Sequence, residues 1–166
     1  TAGQFITEKQ GGSNVSENET TAVRAADGSW RLTGLKWFCS NPGELWVTTA
    51  KPEGSDKVGL FIVPRRLEDG SLNACEILRL KDLSGTRGKA TAEVEYKGAW
   101  AQLVSRAAYG MALLFNVVLR ASRIHVGAAS LGFGRRALME ARLYAKARIA
   151  LGAPVAGLPR RVTPSA

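Results

Sequence analysis

A chain of 166 residues with 45% hydrophobic content is one ordinary domain, or a small domain plus an appendage, and is too apolar to be disordered throughout. Its net charge of +9 is unevenly placed: residues 1–100 carry 13 basic and 13 acidic side chains, residues 101–166 carry 10 and 1, so only the second part attracts anions over a distance. Two cysteines and one histidine exclude a credible zinc site, and Cys39 and Cys75, each in a strand-like run, read as buried thiols rather than a disulfide.

The first residues are polar and show no signal-peptide pattern. Residues 4–7 form a short expected strand and run into the polar turn TEKQGGSN. Residues 20–25 alternate, and Asp27-Gly28 is a hairpin-type turn. Strands over 30–35, 36–39 and 44–50 follow. Gly54-Ser55-Asp56 turns the chain into 58–63, which ends at Pro64; Asp69-Gly70 is a further turn, and 74–80 and 90–96 complete the set. Six or seven short strands with frequent turns predict a barrel or sandwich.

From about residue 105 the pattern changes. No proline falls between Met111 and Arg148, and alanine, leucine and arginine dominate. One helix of about 35 residues is expected, with Gly127, Gly132 and Gly134 allowing a neighbouring helix to approach closely, and Gly152 and Pro154 ending it. Such a helix is about 50 Å long, more than a barrel of this size can bury, so it predicts contact with other helices in an oligomer or a larger chain. Its most apolar window, residues 110–118, is shorter than the roughly 20 residues that cross a bilayer, and a soluble, cytoplasmic protein with no membrane partner is expected. The expected fold is α+β: an antiparallel β-barrel over 1–105, then a long α-helix with a frayed tail over 106–166.

Taken alone, Gly11-Gly12-Ser13 is either a generic turn or a nest, since glycine lets a backbone approach a ligand without a Cβ clash and successive amides attract anions. By strand alternation Phe5 and Thr7 share one face, and Phe38 and Ser40 another, with Trp37 opposite. On the helix, Arg120, Arg135, Arg142 and Lys146 fall within a sector of about 80° and form a basic stripe, either a solvated face or a binding face. His125, among apolar residues, reads as packed.

Three ordered blocks resemble a known family. FITEKQGGSNV, beginning at Phe5, is similar to the first signature of the acyl-CoA dehydrogenases. DGSWRLTGLKWFCSN, beginning at Asp27, resembles the second, Gly-x-Lys-x-[Trp/Phe]-x-[Ser/Thr]-Asn. SRIHVGAASLGFGRRALMEARLYAKAR, beginning at Ser122, is similar to the first long helix of that family's C-terminal domain. The wording of TEKQGGS and LKDLSGTR is closer to the alkylation-response branch.

The resemblance implies a middle β domain and one helix of a larger flavoprotein. It implies FAD, with Thr7 and Ser40 offering hydroxyls near the reactive flavin nitrogen, Phe38 packed on the ring, Gly12 and Ser13 meeting phosphate oxygens, and Arg148 reaching the FAD of a neighbouring subunit. Leu151 stands where the family has a phenylalanine on the same cofactor, so that contact is weakened here. No catalytic residue is carried over: the usual glutamate has no position here, and the position that bears the base in a subset is Ser122, next to Arg123. The implied chemistry is α,β-dehydrogenation of acyl-CoA in the parent protein, with this chain alone inactive, FAD affinity weak or absent, and homo-oligomerisation through the helix. Two other readings stand beside it: a DNA-binding relative using the basic helix, and a degenerate oligomerising scaffold.

Overall fold

The computed structural model describes residues 1–104 and 109–158. Two compact units are present, Thr1–Val117 and the chain from Val118 on.

The first unit holds seven strands: β1 (Ala2–Phe5), β2 (Thr21–Arg24), β3 (Trp30–Ser40), β4 (Leu45–Pro52), β5 (Gly59–Pro64), β6 (Cys75–Leu80) and β7 (Thr91–Leu103). Hydrogen bonding runs β4-β2-β3-β7-β5 and returns from β5 to β4, which closes the sheet on itself; β1 adds to β4 and β6 to β7. The long ladders are antiparallel, as the turns at 27–28 and 54–56 require. β1 and the end of β2 lie parallel to β4, which a strand list alone does not reveal. The two short runs expected over 30–39 are one continuous strand, and β7 continues seven residues beyond residue 96, to Leu103.

Closure puts alternate side chains inside. Phe5, Trp46, Tyr96 and Phe61 are buried there, with Phe5 and Trp46 ring centroids 5.0 Å apart and Trp46 and Tyr96 6.3 Å apart. Two turns repeat one device. At Asp27-Gly28-Ser29 and Asp69-Gly70-Ser71 the aspartate Oδ1 accepts from the serine amide and hydroxyl, and the glycines take φ of 83° and 82°.

β3 breaks alternation twice, between Leu32 and Thr33 and between Lys36 and Cys39. At the first bulge Gly34 adopts φ 149°, and a Cβ there would lie 2.7 Å from Thr20 Cα. The second carries Trp37 and Phe38 and re-aims both. Cys39 and Cys75 are free, and burial pushes each thiol up to about 12.

Helical turns run through Gly110–Ala147, 38 residues: α1 (Gly110–Leu113), a π-helical stretch (Leu114–Leu119) and α2 (Arg120–Ala147). Gly110 belongs to the barrel unit because a Cβ there would strike Val58 O at 2.5 Å, and Leu114 is buried. An 18-residue window of the helix reaches mean hydropathy 1.2. By length and composition it could cross a bilayer, a test that the core helix of a soluble protein also passes, so the expectation of no segment long enough is corrected. In α2 no residue is buried. Gly127, Gly132 and Gly134 face open space and His125 is exposed, not packed, because among the described residues no second helix covers them. The helix ends at Ala147, and a two-strand hairpin follows, β8 (Ile149–Ala150) with β9 (Ala153–Pro154), then a 3-10 turn over Val155–Gly157.

Candidate functional site

β1 stops at Phe5, whose side chain enters the core, and Thr7 lies beyond the strand, half-buried. Alternation therefore does not place Thr7. Its carbonyl does, by accepting from Trp37 N at 2.9 Å, which seats Thr7 beside the second bulge of β3. The chain then turns. Gly11 N donates to Glu8 O at 3.0 Å, and Gly11 takes φ 122°. Gly12 comes so close to Thr7 that a Cβ would meet the Thr7 hydroxyl at 2.6 Å. Ser13 is exposed at the tip.

A buried polar group fixes the base of this turn. Glu8 Oε1 accepts from Lys36 Nζ and from Thr20 Oγ1, each at 2.6 Å, and Oε2 accepts from Glu19 N at 2.5 Å. Lys36 Nζ also donates to Thr49 Oγ1 at 3.2 Å, and Asn18 Nδ2 reaches Thr49 Oγ1 and Ile6 O. Burial pulls the Lys36 ammonium down to about 8 although Glu8 opposes it. For Glu8, burial raises the carboxyl, but Lys36 and the hydroxyl and amide donors outweigh it and hold it below the usual carboxylate range. An isolated buried charge is costly, a paired and hydrogen-bonded one is held rigidly. Glu8 and Lys36 were not singled out from the sequence; the signal was there in Lys36, a charge in an otherwise strand-like run.

The bulge presents Trp37 half-buried and Phe38 46% exposed. Lys81 Nζ lies 3.8 Å from the Trp37 ring centroid and 4.6 Å from that of Phe38, with Arg79 at 5.7 Å from Trp37. Glu93 positions both cations: Lys81 Nζ and Arg79 Nη2 approach its Oε1 at 2.6 Å, and their hydrogen bonds pull its carboxyl down to about 2. Ser40 ends the same strand, its hydroxyl 3.0 Å from Thr91 Oγ1.

Thr7, Gly12, Ser13, Phe38 and Ser40 thus all belong to the barrel unit, where Thr7 touches Gly12 and is hydrogen-bonded to Trp37, the neighbour of Phe38. The donor set suits a flat ring with an anionic arm. An open aromatic face, hydroxyls and a glycine turn at van der Waals limit are what such a group needs. Among the described residues no cluster of three His, Cys, Asp or Glu could hold a metal.

Arg148 lies in the second unit, exposed at the helix end, its amide bonded to Tyr144 O at 2.8 Å. Leu151 follows at the hairpin tip with φ 53° and 94% exposure. A left-handed leucine is disfavoured, so an apolar side chain is held out to solvent at a conformational cost. Ser122 donates to Val118 O at 3.3 Å and offers no carboxylate. The basic stripe is present: Arg135, Arg142 and Lys146 border a groove of about 350 Å³ with Leu138, Met139 and Leu143. Among the described residues the one ion pair on α2 joins Arg136 to Glu140.

A family model described as the acyl-CoA dehydrogenase middle domain matches residues 3–99. The chain is 38% identical over 162 residues to acyl-CoA dehydrogenase family member 11 of Caenorhabditis elegans, covering 92% of this chain and 26% of that one. It is 38% identical over 154 residues to the putative acyl-CoA dehydrogenase AidB of Escherichia coli, covering 92% and 28%. It therefore spans about a quarter of the length of these two relatives. The crystal structure of Caenorhabditis elegans ACDH-11 in complex with C11-CoA superposes with TM-score 0.88 at 36% identity, over 96% of this chain and 28% of that one. A Bacillus anthracis acyl-CoA dehydrogenase complexed with FAD shares the fold, with TM-score 0.83 at 23% identity. None of these comparisons supports DNA binding.

Proposed function

The chain belongs to the acyl-CoA dehydrogenase family, and from that premise we propose that its barrel is the flavin-holding part of an enzyme that α,β-dehydrogenates an acyl-CoA thioester. When bound, FAD would supply the hydride acceptor. This chain's own residues bind and orient it. Phe38 offers a ring to stack on, Thr7 and Ser40 donate hydroxyl hydrogen bonds near the reactive edge, and the Gly12-Ser13 turn receives a phosphate. Glu8 and Lys36 keep the turn against β3, so that the hydroxyls and the ring hold one spacing.

The observation that carries this reading is the hydrogen bond from Trp37 N to Thr7 O. It joins the two signature stretches at the bulge that exposes Phe38.

Arg148 and Leu151 complete the pocket in a second copy of the chain, which would associate through the exposed apolar surface of α2. Proton abstraction from the acyl α-carbon needs a carboxylate. Ser122 provides none, so the 166 residues alone should not turn over acyl-CoA.

Equilibrium dialysis of the purified chain against FAD tests the assignment. Phe38→Ala should weaken binding by about tenfold, the scale of one stacking contact, with the melting temperature unchanged because the ring is half exposed. Unaltered FAD affinity in that variant would remove Phe38 from the site.

A further inference from the structure

Lys81 is, among the described residues, the cation placed over both rings at the bulge, 3.8 Å from Trp37 and 4.6 Å from Phe38. Its side chain is 10% exposed and its ammonium is held 2.6 Å from the Glu93 carboxylate. That one carboxylate also serves Arg79, so two cations share one anion and the cluster keeps a net positive charge. Lys9 adds to it, 6.0 Å from the Trp37 ring. A fixed charge so little exposed to water is weakly screened, and the negative face of an aromatic ring attracts and orients it.

Resting on the flavin reading above, we propose that Lys81 sets the redox preference of a flavin stacked at Phe38, stabilising the reduced ring relative to the oxidised one, with Glu93 opposing it. The oxidised ring is neutral. Two electrons and one proton, delivered by the substrate hydride, leave the reduced ring with one negative charge at neutral pH, and a nearby net positive cluster favours that state. Lys81 acts through the field and through its grip on the two rings, so it is a positioning residue rather than a catalytic one.

The distinguishing feature is sign. Lys81→Met and Glu93→Gln break the same ion pair but change the local charge in opposite directions. Anaerobic titrations of the full 166-residue chain with FAD and with dithionite-reduced FAD, read by quenching of tryptophan emission, give the ratio of the two dissociation constants. Lys81→Met should lower the preference for reduced FAD by about threefold or more, Glu93→Gln should raise it by a similar factor, and Lys81→Arg should stay within about twofold. A merely structural role moves both variants in the same direction. Shifts of equal sign, or none, with FAD still bound overturn the proposal and leave the flavin site standing. If the unaltered chain binds neither form, the flavin reading falls and this proposal with it. Should Lys81→Met not fold, the upward shift in Glu93→Gln decides alone, and its absence counts against the proposal.

Discussion

Lys36 is the residue whose position the sequence disguises. A lysine in a strand ordinarily sends its head to water, yet this one, inside β3, is fully buried against Glu8. Removing one member of a buried pair strands the other. Lys36→Met should cost about 3–5 kcal/mol in urea unfolding, and the Glu8→Leu, Lys36→Met double variant should recover most of that loss. A double variant whose loss equals the sum of the two single losses would show that the pair is not coupled. Glu93 makes a pH prediction. Its folded carboxyl titrates at about 2, below the value of 4.5 it has when free, so its contribution is complete above pH 4.5 and is lost as the pH falls towards 2. Glu93→Gln should therefore be less stable than the unaltered chain at pH 7, with the gap closing between pH 4.5 and 2 as measured by denaturant midpoints. A gap that stays constant across that range would contradict the assignment. Gly12 has a narrower task. Gly12→Ala forces the Thr7 hydroxyl aside and should weaken FAD binding with little change in melting temperature.

At the scale of elements, much of the barrel was legible. Seven strands stand near their expected places because period-2 alternation and the Asp-Gly turns are local signals. The bulges in β3 were not legible. They arise where the strand must bend round Thr20 and pair with β7, and a pattern of alternation cannot announce its own interruption. Trp37 and Phe38 were assigned to opposite faces by that rule; the structure presents both beside Lys81. The parallel seating of β1 on β4 is likewise long-range. TEKQGGSN was legible as a turn from its polar and glycine residues, and its ligand role and that of the aromatic step came through resemblance to a family, whereas Glu8, Lys36, Lys81 and Glu93 needed the fold, because their meaning is the partner each one meets. The hairpin after α2 supplies a test at this scale. Leu151 occupies a left-handed position that asparagine fills more readily. Leu151→Asn should raise the stability of the hairpin, read by amide exchange of Ala150 and Ala153, while weakening FAD binding in the associated form. Weaker protection in the variant would remove the idea that strain is stored there for function.

For the whole molecule, α2 is the unresolved demand. Leu131 and Phe133 are 78% and 76% exposed, more apolar surface than a monomer leaves open without purpose. Sedimentation of the chain should show concentration-dependent association that Leu131→Gln with Phe133→Gln abolishes, the barrel's unfolding midpoint staying unchanged. The central claim, that the barrel is built to hold a flavin, is tested most directly by the visible absorption spectrum of the purified chain after incubation with FAD and desalting. Retained bands near 370 and 450 nm, roughly where oxidised flavins absorb, are the predicted result. A colourless protein whose melting temperature does not move with FAD would contradict it.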